Sequence, residues 1–209
     1  MERLNIAKRT VSEMLQDRHY DIVFASDTET KEDIDDFKAP KIIGERNGVR
    51  IHAYFVFGFI IGEKIGIKKA NELLDDIMKR PSEDSDSDSD SDAEEPDIVT
   101  HCIIVSDEGY TPSASKRFKS VIPGLEIETF MMDELLYNLI KHECQPKKIE
   151  LMEDPKLIHS VYTTFGINKK TNMKICSSDP VNRYFNGQPG GMYKVHHKGG
   201  RIDYVTIVK

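Results

Sequence analysis

Tryptophan is absent from the 209-residue chain, and cysteine is nearly so, with only Cys102, Cys144 and Cys176. Three is an odd number, the residues lie far apart, and no CxxC occurs, which excludes a disulfide framework and a zinc ribbon. A reducing compartment is the natural setting. Long hydrophobic runs are missing too. The longest, IHAYFVFGFIIG at 51–62, has about half the length a bilayer-spanning helix requires and contains a histidine. The opening MERLNIAKRT lacks the apolar stretch of a secretory leader, so a soluble intracellular protein with no membrane partner is expected. There is no GxSxG for a nucleophilic serine and no GxxxxGK[ST] for a phosphate cradle. The glycines of Gly187-Gln-Pro-Gly-Gly191 have the wrong spacing for such a cradle, and the proline removes an amide. Asp27 with Glu29-Thr30-Lys31 imitates a metal-dependent nuclease pattern, but within a polar stretch instead of on a strand. Neighbouring His196-His197 and His101-Cys102 would face opposite sides of a strand and cannot share an ion. His142 and Cys144 make only two ligands of the four a closed zinc site needs. No cofactor, metal or small-molecule substrate is expected.

What is plentiful is acid, and it is concentrated. Residues 82–97 read SEDSDSDSDSDAEEPD, with nine acids and no base, whereas the whole chain carries a net charge of −7. Without the tract the chain is slightly basic, and residues 143–209 hold 11 basic groups against 6 acidic ones. That surplus suits a weak contact with nucleic acid or an acidic protein surface, and equally an ordinary solvated face. The tract cannot bury enough apolar surface to offset the entropy of ordering, so it reads as a disordered loop. Ser85, Ser87, Ser89 and Ser91 have acids at +1 and +3, as acidophilic kinases prefer, and phosphorylation would add about two negative charges each. A solubilising spacer is the plainer role.

Periodicity predicts a helix over 3–18, where Leu4, Ala7, Val11 and Met14 recur at three and four. Residues 26–38 read as a polar loop or a short exposed helix. Ile51–Ile61 reads as a buried strand. Ile67, Ala70, Leu73, Leu74, Ile77 and Met78 form one face of a helix that Pro81 stops. Ile98–Val105 is a second buried strand. Strand, helix and strand make a βαβ unit with parallel pairing and the acidic insert in its connection. Thr111-Pro112 signals a helix start, with the helix continuing to Pro123-Gly124. LEIETF at 125–130 alternates as a strand, while 133–142 fits helix or strand equally. Residues 150–165 read as helical around Leu157, Ile158 and Val161. MYKVHH and IDYVTIV read as a hairpin turning at Lys198-Gly199-Gly200. The fold class is α+β, with an N-terminal domain over 1–142, its insert at 81–97, and a smaller domain over 143–209.

One segment offers chemistry. TPSASKRFK at 111–119 sets the hydroxyls of Thr111, Ser113 and Ser115 around a helix start, followed by Lys116, Arg117 and Lys119. Unpaired amides and the positive dipole end favour an anion there. A nucleic-acid phosphate would be held without sequence readout. A plain capped helix has the same signature.

The order of these segments resembles the fifth subunit shared by eukaryotic nuclear RNA polymerases, whose C-terminal part corresponds to a small component of the archaeal RNA polymerase. The resemblance rests on KRTVSEMLQDRHY at 8–20, FVFG at 55–58, EKIGIK at 63–68 and IIVSDEGYTPSASK at 103–116. It continues through DELLYNLIKHECQPKK at 133–148 and SDPVNRYF at 178–185, with Gly190 and Lys194 at matching spacing. Asn172-Met173 stands where the family has Leu-Pro. The loop after the first C-terminal strand shortens to His196-His197-Lys198-Gly199-Gly200, and the final tyrosine-arginine pair becomes Tyr204-Val205. Such divergence, with the acidic insert, would suit a viral or protist copy.

The resemblance implies an N-terminal mixed α/β jaw domain beside downstream duplex DNA and a C-terminal α+β assembly domain docked on the largest polymerase subunit. It implies a non-catalytic subunit of a multisubunit DNA-directed RNA polymerase acting in transcription. Thr111, Pro112, Ser113, Lys116 and Arg117 would lie by the DNA. His142, Pro146, Lys147, Asp179, Pro180, Arg183, Tyr184, Gly190 and Lys194 would form the subunit interface. Asp179-Pro180 would fix a tight turn that presents Arg183 and Tyr184. A cellular copy would be nuclear; a viral one would belong to the host cytoplasm or virion. Two alternatives stand beside this: a small nucleic-acid-processing α/β enzyme, and an acidic adaptor acting through 82–97.

Overall fold

The computed structural model describes residues 2–25, 41–56, 64–79, 100–120 and 122–209. The 26–38 loop, the Asp27/Glu29/Lys31 pattern, the distal part of the strand expected to reach Ile61, and the acidic tract lie outside the described residues. The chain divides into two compact units, residues 1–137 and 138–209, compared with an expected boundary at 142/143.

The N-terminal unit opens with helix α1, Glu2–Asp17, which buries Ala7, Val11, Met14 and Leu15 at helical spacing. It stops because His19 adopts φ 66°, letting the Tyr20 amide reach back to the Leu15 carbonyl at 2.9 Å. A five-stranded sheet follows: β1 (Asp21–Ala25), β2 (Ile42–Arg46), β3 (Val49–Val56), β4 (His101–Ser106) and β5 (Glu126–Met131), in that spatial order. β1, β2 and β3 pair antiparallel. Asn47-Gly48, both at positive φ, make the tight turn between β2 and β3. β3, β4 and β5 pair in parallel. The crossover from β3 to β4 carries helix α2, Ile67–Lys79, so the expected βαβ unit is present. A second crossover carries the short helix α3, Pro112–Phe118. The core under α2 and α3 joins Leu73, Leu74, Ile77 and Phe118 to Tyr54, Val56, Cys102 and Ile104 of the sheet. All six residues of β4 are buried, as expected of a central parallel strand covered on both faces.

The C-terminal unit is a four-stranded sheet in the order β6-β8-β9-β7. Its elements are β6 (Lys148–Met152), helix α4 (Pro155–Thr164), β7 (Lys174–Cys176), helix α5 (Pro180–Phe185), β8 (Met192–His196) and β9 (Ile202–Val208). The expected β8–β9 hairpin is there, paired Met192↔Thr206 to His196↔Ile202.

Two local expectations need correction and two others take a specific form in the structure. The helix after Thr111 ends at Phe118, not near Pro123, because Gly124 at φ 81° and an Ile122–Leu125 bridge turn the chain into β5. Residues 133–142, which fitted helix or strand equally, carry two short 3-10 helices, Met132–Leu135 and Leu139–Lys141. The Asn138 carboxamide starts the second turn by accepting from the Ile140 amide at 3.0 Å. Residues 150–152 belong to strand β6, and the helix begins only at Pro155, where the Asp154 carboxylate accepts from the Lys156 amide at 2.8 Å. The tight turn expected at Asp179-Pro180 is present, closed by the Asp179 amide on the Cys176 carbonyl at 3.0 Å, and it leads straight into α5, with Asp179 as the cap.

Candidate functional site

The two sequence motifs of the N-terminal unit, Gly66-Ile67-Lys68 and Thr111-Pro112-Ser113, are 45 residues apart yet adjacent in space. Ile65 and Tyr110 form a parallel bridge. The Ile65 amide donates to the Gly109 carbonyl and the Thr111 amide to the Ile65 carbonyl, each at 3.0 Å. Both helix starts therefore lie at the C-terminal end of the parallel strands, the customary ligand edge of α/β sheets. Ser106 secures the turn: its hydroxyl donates to the Gly109 carbonyl and accepts from the Gly109 amide, both at 3.0 Å. The Tyr110 hydroxyl reaches the Ile104 carbonyl at 2.7 Å.

Within this edge the Thr111 hydroxyl accepts from the Ala114 amide at 3.3 Å, and Pro112 takes the first helical position. Ser113, Lys116 and Lys119 are exposed. Arg117 behaves differently. Its Nε donates to Asn71 Oδ1 at 3.0 Å and its Nη1 to the Ser120 hydroxyl at 2.9 Å, so it fastens α3 to α2. Lys64 and Lys68 are exposed on the neighbouring start.

The centre of the C-terminal unit is a polar knot that sequence reasoning missed. Asn182, on α5 and 2 % exposed, donates through Nδ2 to the Gly187 carbonyl at 2.8 Å and the Ser177 carbonyl at 3.2 Å. Its Oδ1 accepts from the Tyr193 hydroxyl at 2.8 Å. Both the oxygen and the nitrogen of the carboxamide are thus engaged inside the fold. Asp179 Oδ1 caps α5 at the Val181 amide, 2.9 Å, and Asn186 ends it in the left-handed region, φ 52°. Replacing Asp179 with alanine should lower stability by about 1 kcal/mol, the usual loss for a helix cap, read by chemical denaturation. On β6 and β8 a ladder of charge gathers around Glu150. Lys148 and His196 both hydrogen-bond it, the latter at 3.0 Å, and Lys194 lies 3.9 Å away. The bond from Lys148, then that from His196, hold the Glu150 carboxyl down at about 2.

Residues 137–207 match the family described as RNA polymerase Rpb5, C-terminal domain. The chain is 28% identical over 204 residues to "DNA-directed RNA polymerases IV and V subunit 5B" of Arabidopsis thaliana, covering 92% of this chain and 82% of the relative. The C-terminal unit is similar to the Rpb5 C-terminal domain, and most of the chain is similar to polymerase subunits of that kind. It is also 26% identical over 197 residues to "DNA-directed RNA polymerases I, II, and III subunit rpabc1" of Dictyostelium discoideum, with 93% and 90% of the two chains covered. With "DNA-directed RNA polymerases I, II, and III subunit RPABC1" of Caenorhabditis elegans the match is 28% over 97 residues, 46% of this chain and 45% of the relative.

Within the unit that resembles the Rpb5 C-terminal domain the expected interface residues fall into two groups. His142, Lys147 and Gly190 are exposed, and Pro146, Arg183 and Lys194 are half-buried. His142 Nδ1 accepts from the Cys144 amide at 3.2 Å, and Gly190 has φ 98°. Asp179 and Pro180 start a helix, as described. Tyr184 belongs inside: it is 5% exposed, packs edge-on against Phe185, and its hydroxyl accepts from Asn138 Nδ2 at 3.1 Å. The expectation that Tyr184 is presented to a partner is corrected by this burial. Phe185 in turn packs against Tyr193, so much of the SDPVNRYF string serves the fold of the unit.

The thiols differ sharply. Burial pushes the Cys102 thiol up to about 12, whereas the Ser178 hydroxyl, donating to Cys176 Sγ at 3.2 Å, lowers that of the exposed Cys176. A maleimide should therefore label Cys176 and the exposed Cys144 in the native protein and Cys102 only on unfolding. Mass mapping of the labelled sites checks this. Among the described residues no group of three or more His, Cys, Asp and Glu is placed to hold a metal ion. None of the described helices is long and apolar enough to cross a membrane.

Proposed function

We propose that the chain is a non-catalytic subunit of a nuclear DNA-directed RNA polymerase, with its C-terminal unit docked on the largest subunit and its N-terminal unit beside downstream DNA. The observation that carries the reading is the match of 137–207 to the Rpb5 C-terminal domain, extended over nearly the whole chain by relatives named as polymerase subunits. Purification from the natural source should bring down two very large polymerase subunits with it. Recovery as a monodisperse free monomer would overturn the proposal.

The jaw role is supported by the exposed hydroxyl and lysine groups on the strand-end edge at 111–119. A phosphate contact there is independent of sequence and weakens with salt. Because Arg117 is tied to Asn71 and Ser120, the informative substitution is Lys116→Ala. It should reduce crosslinking to downstream DNA in the assembled complex while leaving assembly intact, and unchanged crosslinking would remove Lys116 from the interface. On the docking face, Arg183 is the anchor of the set. Its truncation to alanine should cost about 2 kcal/mol of assembly affinity, as for arginines at the centre of protein interfaces. Quantitative copurification measures it.

A further inference from the structure

We infer that the groove between α4 and the glycine turn ahead of β8 is a docking site for a short acidic peptide segment of a partner protein. Its volume is about 630 Å³, within the range of about 300–1,000 Å³ typical of ligand pockets. Pro155, Ile158 and Tyr162 form one wall and Gln188 to Gly191 the other, with Thr206 and Val208 of β9 beneath. Lys169, Lys174 and His159 lie on its rim, against a single carboxylate, Glu153.

The groove is braced before anything enters it. The Tyr162 hydroxyl and Thr206 Oγ1 are 2.7 Å apart, and Asn172 Nδ2 donates to the same oxygen at 3.0 Å. The glycine turn is fixed to β9 by the Gly190 amide on the Ile207 carbonyl, 3.0 Å, and the Ile207 amide on the Gly191 carbonyl, 2.9 Å. Lys169 Nζ is held 4.9 Å from the Tyr162 ring centre, which positions its charge at the rim. Beside it, β7 pairs with β9 alone among the described strands, leaving an outer edge along which an extended chain can lie. A partly apolar lining, a doubly cationic rim and an open strand edge together select an extended segment with carboxylate side chains and reject a basic one.

The inference rests on the proposed function only for the source of the segment, another chain of the same assembly. The full-length protein, labelled with nitrogen-15, is titrated with acetyl-(Glu-Val)3-amide and, separately, acetyl-(Lys-Val)3-amide. The acidic peptide should shift the amide resonances of Gly190, Gly191 and Thr206, and the basic one should not. The Lys169→Glu/Lys174→Glu variant should bind at least about tenfold more weakly, roughly 1.4 kcal/mol, and Lys169→Arg/Lys174→Arg should bind as the parent does. Equal responses to the two peptides, shifts confined to other residues, or indifference to the charge reversal would overturn the inference. So would movement of the same resonances on deleting residues 82–97 without peptide, which would assign the groove to the chain's own acidic tract. A failed titration leaves copurification with polymerase subunits untouched, and failed copurification leaves the titration standing.

Discussion

Replacing Gly187 with alanine is expected to destabilise the C-terminal unit by about 3 kcal/mol or more, and replacement with valine to unfold it. A Cβ at this position would lie 2.5 Å from the Tyr193 hydroxyl, 2.6 Å from Ile207 Cδ1 and 2.7 Å from Asn182 Oδ1. All three neighbours belong to buried residues, so none can swing into solvent. Forcing one methyl group into a filled core costs about 1–3 kcal/mol. Here it must also part Tyr193 from Asn182, and a buried polar group left without its partner adds about 1–3 kcal/mol. The Gly187 backbone is pinned as well, its amide on the Asn182 carbonyl at 3.3 Å and its carbonyl under Asn182 Nδ2 at 2.8 Å, so the turn cannot slide away. Set against a domain stability of about 5–15 kcal/mol, such a loss is large. Gly200 provides the contrast. It has φ 81° with nothing within 4 Å of a Cβ, so its alanine variant pays only for backbone conformation, about 1 kcal/mol. Urea denaturation followed by far-UV circular dichroism separates the two. A Gly187→Ala midpoint within experimental error of the parent would refute the steric argument.

Legibility in the sequence tracked how local the determining physics was. α1, α2, β4 and the β8–β9 hairpin were readable because each carries its own period of 3.6 or 2 over enough residues. The parallel pairing of β3 with β4 followed from the helix between them. β1 was missed because its apolar residues are not on a buried face: Val23 and Phe24 are exposed on an edge strand. β2 and β7 have only five and three residues, too few for a pattern to rise above chance. The end of β6, residues 150–152, was absorbed into the helix predicted over 150–165 because Leu151 runs directly into the helical spacing of α4. The 3-10 turns at 132–141 depend on the Asn138 cap and tertiary packing, which no period reports.

The sites divide in the same way. The start of α3 was legible because Thr-Pro is a cap followed by a residue that needs no amide partner. The same cap-then-proline logic applies at Asp154-Pro155 and Asp179-Pro180, where the side chains cap α4 and α5. What could not be read was partnership across distance. Arg117 looks like any phosphate-seeking arginine until Asn71, 46 residues away, takes its Nε–H. Tyr184 looks like an interface anchor until Asn138 claims its hydroxyl. Asn182 lies within the SDPVNRYF string, but its pairing with Tyr193 has no sequence signature, because a buried polar pair is specified by the space around it.

The second large effect is expected at Glu128, the centre of a buried charge cluster in the N-terminal unit. Arg18 leaves the end of α1 to grip it with two guanidinium nitrogens, at 2.6 and 2.9 Å, and His101 Nε2 approaches the same carboxylate at 2.7 Å. Side-chain exposures of 4%, 11% and 8% for Arg18, Glu128 and His101 place the cluster out of water. Burial alone would raise the Glu128 carboxyl. The Arg18 charge, then the hydrogen bonds with His101 and Arg18, outweigh it and hold the group at about 2, below the ordinary 4.5. A depressed carboxyl stabilises the fold fully above its unfolded value and loses that contribution as pH falls through the folded one. The loss should therefore develop between about pH 4.5 and pH 2 and amount to roughly 3 kcal/mol. Glu128→Ala at neutral pH should cost about 3–5 kcal/mol, since Arg18 would then be a buried cation with its counter-charge removed. Arg18→Met/Glu128→Leu, which removes both charges and keeps the volume, should recover most of that loss. Glu150 and Asp203 are also held low by their partners, so acid destabilisation of the parent mixes several groups. Subtracting the Glu128→Gln stability curve from that of the parent isolates the buried one. A difference that stays flat from pH 5 to pH 2 would show that the cluster does not govern the acid limit of this unit.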